Sequence, residues 1–350
     1  MTLYLFTFLA LLVLAITEAL QGNKKMVLIG GGFLAVLAGF RYQTGYDFVS
    51  YKSFFDDMTG IQDVFNGNLD AEAGYLFLNY LFLNLGLNYY TFLLFFAFLT
   101  MFLLVKYLYR NVPYPSLMLF YYFSRFFLAR DMGQIRGSLA SIILLYSVKY
   151  IKSKEFAKFM AVVLIASLFH VTALIFILGY IYENHLYNGK WSQVGILFSL
   201  AVVAGLIVKS PSLYLWAIPG RYAPYFTNPA YTSGKWLMNP VLWMQLLIFF
   251  GTLLFTKIQR DEKYRTYHNL YFFASLILIA FGNLETVGGR LSSPFATYEM
   301  FVAPYFILNF TKNKLLNLIF AIGFTVIIFL LIFIISGDYA SFIPYTTLFQ

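Results

Sequence analysis

Apolar runs alternate with short polar connections along the whole chain. A helix needs about 20 apolar residues to cross the hydrocarbon core of a bilayer, and many of the runs approach that length. They fall at about 2–20, 26–40, 89–108, 116–129, 137–151, 156–169, 171–182, 192–208, 239–256, 266–283, 295–311 and 315–336. The pattern predicts an all-α polytopic membrane protein with about twelve transmembrane helices.

Some stretches depart from the full-length pattern. The runs at 116–129 and on both sides of His170 are short, as in half-helices or re-entrant segments. The stretch 74–86 spaces its apolar residues three and four apart, which favours an amphipathic helix lying at the membrane interface. We therefore predict a single transmembrane domain over 1–350, in which some helices cross the membrane fully and others enter it only in part or lie at its interface.

The composition agrees with a membrane protein. Of the 350 residues, 61% are hydrophobic and 11% are charged, against about 25% charged in soluble domains. The first twenty residues lack a basic n-region and a small-residue cleavage site, so we predict a retained first helix. The chain has no cysteine, which excludes disulfides and thiolate metal sites.

The net charge of +9 comes from basic residues scattered over short connections, so membrane orientation explains it and no nucleic-acid partner is predicted. Alternating the spans puts 15 of the 24 basic residues on one side, which is cytoplasmic by the positive-inside rule. We predict extracytoplasmic loops at about 41–88, 209–238 and 284–294. The basic residues of the outer face are Arg41, Lys52, Arg125, Arg130, Arg136, Lys209, Arg221, Lys235 and Arg290.

This outer set is rich in arginine. Arginine presents a planar fork of donors that suits phosphate and carboxylate better than lysine does. The candidates for binding a diphosphate are Arg41, Arg130, Arg136, Arg221 and Arg290. Alternatively, any one of them pairs with Asp47, Asp131 or Glu285 and only holds a loop together. Arg130 and Gln134 are four positions apart, so they are predicted to share a helix face.

Carboxylates and a histidine accompany these arginines. Asp56, Asp57, Asp63 and Asp70 are predicted to solvate the first outer loop, and Asp131 is predicted to be a local partner of Arg130. Asp47, His170 and Glu285 are candidates for the base that takes a proton from a sugar hydroxyl. Guanidinium groups would stabilise the charge that develops on a departing diphosphate. The constellation suits glycosyl transfer from a diphosphate-linked lipid.

The segment Arg41 to Tyr51, RYQTGYDFVSY, resembles the Arg-Tyr-x-x-Gly-x-Asp-x-x-x-Tyr signature that follows the second helix of EpsG-type, Wzy-like polysaccharide polymerases. Later pieces follow in that family's order: Glu72 with GYLFLNYLF, then QIRGSLASIILL, then FHVTALI, then an arginine before the penultimate helices. The chain has Arg136-Gly137 where the family often has Arg-Gln, so no role is predicted for the second position.

The resemblance implies a GT-C-like bundle in a bacterial inner (cytoplasmic) membrane, with an active site that faces the periplasm or the cell exterior. The enzyme would polymerise oligosaccharide repeat units of an O-antigen, capsule or exopolysaccharide, using undecaprenyl-diphosphate-linked donor and acceptor and releasing undecaprenyl diphosphate. It would need no metal and no other cofactor. A chain-length regulator and a flippase are implied partners.

The resemblance also assigns roles. Arg41 would bind the diphosphate or orient Asp47, which would lie near the acceptor hydroxyl. Arg136 matches the second motif and His170 the third. Gly45, Tyr51 and Gln134 are predicted to be structural or positioning residues.

Two alternatives stay open. An O-antigen ligase uses the same donor, but ligases usually carry a large periplasmic domain between late helices, and the outer loop at 209–238 is only 30 residues long. A flippase or transporter would place its charges near the middle of the membrane and show related repeats in its two halves. Here the charges lie at helix ends, and the sequence shows no convincing internal repeat.

Overall fold

A computed structural model describes residues 1–187, 189–220, 223–232, 235–255 and 260–347. These residues are mostly helical, and two compact units are distinguished among them. The first unit contains Met1–Tyr146, Ile165–Val171 and the chain from Ile307 onward. The second contains Ser147–Leu164 and Thr172–Phe306. Each unit is described by itself below.

The α-helices of the described residues are numbered in chain order. They are α1 (Thr2–Gln21), α2 (Met26–Gly39), α3 (Phe48–Asp56), α4 (Ala73–Asn84), α5 (Tyr89–Asn111), α6 (Pro115–Tyr122), α7 (Leu128–Asp131), α8 (Ile135–Leu145), α9 (Val148–Lys152), α10 (Phe156–Ser167), α11 (Ile177–Ile181), α12 (Trp191–Val208), α13 (Pro224–Thr227), α14 (Pro229–Thr232), α15 (Pro240–Leu253), α16 (Glu262–Phe281), α17 (Glu285–Ala296), α18 (Glu299–Leu308) and α19 (Lys314–Phe329).

Other regular elements complete the chain. The π-helical turns are Phe123–Phe127, Tyr182–Leu186 and Leu330–Ile335. The 3-10 helices are Ile61–Val64, Val171–Phe176, Pro211–Leu213, Leu215–Ala217, Trp236–Met238 and Asp338–Ser341. Strands β1 (Arg41–Tyr42) and β2 (Thr346–Thr347) pair antiparallel, with Arg41 opposite Thr347.

Four helical segments of the described chain are long and apolar enough to cross a membrane: Thr2–Gln21, Tyr89–Asn111, Trp191–Val208 and Lys314–Ile335. Shorter apolar helical segments of 10–17 residues accompany them: Met26–Gly39, Phe156–Ser167, Val171–Leu186, Pro240–Leu253 and Glu299–Leu308. These findings confirm an all-α, multi-pass membrane protein. The count of about twelve spans and the GT-C-like arrangement stay predictions.

Polar residues at the helix ends explain where several helices begin. Asn88, Asn239, Asp261 and Asn313 each accept a backbone N–H of the first turn that follows, as N-cap side chains do. Helix α1 ends where Gly22 takes a left-handed conformation with φ of 70°, which glycine adopts without strain. The boundaries are therefore encoded locally.

The structure differs from the sequence prediction at three places. The run 137–151 breaks between α8 and α9. The residues 284–294, predicted as a loop, form most of α17, so Gly288 and Gly289 lie inside a helix. The prediction that Arg130 shares a helix face with Gln134 is wrong, because the chain leaves helix after Asp131 and Gln134 is the N-cap residue of α8.

In the first unit, an aromatic core joins α3, α4 and α5. Its buried rings include Phe48, Tyr51, Phe55, Tyr75, Tyr89, Phe92 and Phe96. Tyr75 packs edge-on against Phe92 with 5.4 Å between ring centroids. The helices that follow the second apolar run are thus packed onto α5, and the segment 41–88 has a rigid core.

In the second unit, α16 is the central helix. It packs against α12, α15 and α17. Phe249 of α15 stacks on Phe272 of α16 with centroids 4.2 Å apart, and the indole N–H of Trp236 donates to the carbonyl of Ile279 at 2.8 Å. This unit carries Glu285 and Arg290.

Candidate active site

The signature segment 41–51 contains strand β1, a tight turn around Gly45 and the first residues of α3. Gly45 has φ of 94°, and a Cβ added there would collide with the backbone carbonyl of Met132. Only glycine fits such a position without strain. Its N–H donates to the carbonyl of Ser341 at 3.2 Å, and Tyr345 donates to the carbonyl of Leu37 at 2.8 Å. The turn is held against both the 132–134 corner and the C-terminal segment.

Arg41 is fully buried in this turn. Its Nη1 donates to the carbonyl of Ala38, while Nε and Nη2 have no hydrogen-bond partner among the described residues. Arg41 and Asp131 line the same small cavity, whose volume is about 10 Å³. The carboxylate that faces Arg41 across this cavity is therefore that of Asp131.

Asp131 is buried and bound by two hydroxyls. Tyr122 donates to Oδ2 at 2.7 Å and Ser138 donates to Oδ1 at 2.8 Å. Hydrogen bonds to the ionised form stabilise a buried carboxylate. Asp131 thus joins α6, α7 and α8 around a fixed negative charge.

Arg136 lies in a cage of three rings and one carboxylate. Its guanidinium carbon is 5.5 Å from the centroids of Tyr51 and Phe54 and 5.7 Å from that of Tyr75. Its Nη1 forms an ion pair with Oε2 of Glu72, and both side chains are less than one-fifth exposed. A cation placed over aromatic faces gains further electrostatic stabilisation. Burial raises the pKa of the Tyr51 phenol, so Tyr51 is neutral beside this cation.

The other oxygen of Glu72 reaches the segment that carries His170. Oε1 accepts the backbone N–H of Val171 at 3.0 Å. The N–H of Gly74 donates to the carbonyl of Leu168 at 2.8 Å. The imidazole of His170 is half-buried and faces Gly137, where an added Cβ would lie 3.5 Å from its Cδ2. Glu72, Arg136 and His170 therefore meet in the first unit.

The first unit also contains the predicted residues Asp47, Arg130 and Gln134. Asp47 is half-buried at the N-cap position of α3, and its carbonyl accepts the N–H of Tyr51 at 3.0 Å. Arg130 is 7% exposed, with its guanidinium 4.1 Å from the ring centroid of Phe126. Gln134 is half-buried at the corner, and its N–H donates to the carbonyl of Ala129 at 3.0 Å.

The second unit holds two more predicted residues. Glu285 is exposed in the first turn of α17. Arg290 is half-buried, donates from Nη1 to the hydroxyl of Tyr225 at 3.2 Å and stacks on that ring at 5.2 Å. Arg221 lies outside the described residues.

Two carboxylates of the site were not predicted as site residues. Glu72 was named as part of the family's sequence pattern, beside the apolar stretch 74–86, and no role was predicted for it. Asp131 was predicted to be a local partner of Arg130, and the structure adds hydrogen bonds from Tyr122 and Ser138. The partners of Glu72 are 64 and 99 positions away in the sequence, whereas those of Asp131 are nine and seven positions away. No three His, Asp or Glu side chains in the described part of the chain come together as metal ligands.

The fold and this cluster define a multi-pass membrane protein with buried arginine–carboxylate groups beside apolar helices. The model of the EpsG family matches residues 24–347, nearly the whole chain. The chain therefore belongs to the EpsG family, a family of polysaccharide polymerases. No curated protein and no solved structure matches it significantly. Family membership supports a glycosyltransferase-like enzyme of polysaccharide biosynthesis.

Proposed function

We propose that the protein is a membrane glycosyltransferase that polymerises undecaprenyl-diphosphate-linked oligosaccharide repeat units on the extracytoplasmic face. The observation that carries this proposal is the meeting of Glu72, Arg136 and His170 from three separate segments. It combines a cation that can stabilise a leaving diphosphate with a carboxylate and an imidazole, either of which can act as a general base. The family match supports the same reaction class.

The reaction would proceed by displacement at an anomeric carbon. The hydroxyl at the non-reducing end of the lipid-linked acceptor attacks the sugar that joins the growing chain to its lipid. The new glycosidic C–O bond forms, the bond to the diphosphate breaks, and undecaprenyl diphosphate leaves. The hydroxyl proton passes to a base, for which His170, Asp47 and Glu285 are the candidates.

The arginines would stabilise the negative charge of the leaving diphosphate. The leaving diphosphate gains negative charge in the transition state, and preorganised guanidiniums in a water-poor site lower that barrier. We assign this role first to Arg136, whose side chain is partly exposed while its orientation is fixed by three rings and Glu72. Arg130 and Arg290 are further candidates, and so is Arg41, which needs an opening of its small cavity to reach a ligand.

The test is polysaccharide length in cells that lack their own polymerase. Wild-type protein should restore long chains, and Arg136→Ala at matched expression should leave single repeat units. Arg110→Ala, which removes an exposed arginine at the end of α5, is the control and should retain long chains. If single repeats fail to reach the outer face even when a known polymerase is added, the missing step is transport and the proposal is wrong.

A further inference from the structure

The two oxygens of Glu72 bind two different segments of the first unit. Oε2 pairs with Nη1 of Arg136 on α8. Oε1 accepts the N–H of Val171, the residue that directly follows His170. A carboxylate that only solvated a loop would face water, whereas the Glu72 side chain is 19% exposed.

The backbone around Glu72 is fitted to the same segment. Gly74, two residues later, donates its N–H to the carbonyl of Leu168. A Cβ at Gly74 would lie 2.7 Å from both the carbonyl oxygen and the Cβ of Leu168, so the two chains touch as closely as a glycine permits. The start of α4 and the residues that follow α10 are thus in direct contact, and the carboxylate of Glu72 binds the same residues.

We propose that Glu72 is a positioning residue that fixes the guanidinium of Arg136 and the backbone beside His170 at one spacing. This inference rests on the proposed function. The anion-binding group and the candidate base would otherwise be carried by two elements, α8 and the 168–171 turn, that could shift independently. Misplacing a reacting group by about 1 Å can cost about 100-fold in rate.

The chemistry of the two bonds makes glutamate hard to replace. Both partners of Glu72 are donors, so both of its oxygens must accept. Glutamine offers one acceptor oxygen and an NH₂ group that only donates, and it can therefore satisfy Arg136 or Val171 but not both. Aspartate keeps the charge and both acceptors on a side chain shorter by one methylene, so it cannot reach both partners together.

The experiment uses full-length protein purified in detergent and reconstituted in liposomes. Its substrate is the lipid fraction extracted from host cells that lack a polymerase. Rates of chain extension are measured over a range of that fraction for wild type, Glu72→Gln and Glu72→Asp, each per amount of monodisperse protein. For both variants we expect kcat to fall by about 10-fold to 100-fold while KM changes by less than about threefold. Asp56→Asn, which breaks the exposed Lys52–Asp56 pair of the same segment, should match wild type.

Three results are decisive. If Glu72→Asp had the kcat of the wild type, the inference would be overturned, because a negative charge that cannot reach both partners would then be enough for full activity. A higher KM at unchanged kcat in either variant would also overturn it, since Glu72 would then contribute to binding alone. Absence of extension by the wild-type protein contradicts the proposed function itself, and is separate from both outcomes.

Discussion

The hydroxyl of Tyr122 donates a hydrogen bond of 2.7 Å to Oδ2 of Asp131. Both residues are buried, and the carboxylate also faces the cavity that contains the unpaired donors of Arg41. The pair therefore keeps a negative charge in place opposite the signature arginine. Loss of the phenol would leave a carboxylate oxygen without its donor inside the protein.

We therefore expect Tyr122→Phe to destabilise the protein by about 1–3 kcal/mol, the usual cost of an unsatisfied buried polar group. The measurement is the apparent midpoint of thermal unfolding of the purified protein in detergent. Tyr109→Phe, which removes a phenol from a side chain that is 39% exposed, is the matched control. Equal midpoints for the two variants would show that the Tyr122 bond contributes nothing.

The structure leaves room for a side chain at Gly137 but not at Gly45. Gly45 combines a left-handed φ with a collision at the carbonyl of Met132, whereas a Cβ at Gly137 meets the ring of His170 at an ordinary 3.5 Å. Gly45→Ala should therefore abolish most folded protein, and Gly137→Ala should accumulate at nearly the wild-type level. Size-exclusion chromatography of a fluorescent fusion measures both. A normal elution profile for Gly45→Ala would contradict the turn described here.

The sequence predicts the helices well and their partnerships poorly. Apolar runs identify α1, α5, α12 and α19, because a bilayer demands that length and composition of any helix that crosses it. The same runs miss the corner at 132–134 and the helix α17, because Gly133, Gly288 and Gly289 suggest flexibility whichever structure they occupy. Local pattern alone does not decide between a loop and a packed helix.

The site was predicted in part. Arg41, Gly45 and Tyr51 belong to one short motif; the structure places Arg41 and Gly45 in the turn before α3 and Tyr51 inside α3. The partner of Arg136 is 64 positions away and that of Asp131 includes Tyr122. The Arg136–Glu72 pair depends on how distant segments pack together, which no spacing along the chain encodes, whereas Tyr122 is only nine positions before Asp131. The catalytic roles of Asp47, His170 and Glu285 stay predictions.

Replacing Arg136 by lysine tests whether the shape of the cation matters. Lysine keeps the charge opposite Glu72 but loses the planar group that lies among Tyr51, Phe54 and Tyr75. A planar, bidentate guanidinium is not matched by an ammonium. We expect Arg136→Lys to lower the extension rate by at least about tenfold, which corresponds to about 1.4 kcal/mol in the barrier. Full activity in reconstituted liposomes would show that any cation serves.

Asp63 organises the segment 59–66, where sequence analysis predicted a residue that only solvates a loop. That prediction is wrong, because Asp63 is 8% exposed. Its Oδ2 accepts the N–H of Thr59 at 2.7 Å, the hydroxyl of Thr59 at 2.8 Å and the N–H of Gly60 at 3.2 Å. Oδ1 accepts the amide of Asn66 at 3.1 Å. These bonds lower the pKa of Asp63 to about 2, with the N–H of Thr59 as the largest cause.

This lowered pKa predicts a pH window. A carboxyl group in an unfolded chain has a pKa of about 3.9, so the bonds of Asp63 stabilise the fold fully above that pH. The stabilisation is lost as the pH falls towards about 2, where the folded carboxylate also takes up its proton. Pepsin cleavage within 57–71 should therefore accelerate between pH 4 and pH 2. Above pH 5 the wild-type segment should stay resistant to an unspecific protease.

The variant Asp63→Asn distinguishes the contribution of Asp63 to this pH dependence from that of other carboxyl groups that titrate in the same pH range. Asparagine can accept the three bonds of Oδ2, but its NH₂ then faces the NH₂ of Asn66, so one bond is lost at any pH. We expect faster cleavage than wild type at neutral pH and a difference that shrinks as the pH falls below 4. Asp57→Asn, at an exposed position of the same segment, should follow the wild-type curve. A difference between Asp63→Asn and wild type that stays constant from pH 7 to pH 2 would mean that the charge of Asp63 does not hold the segment.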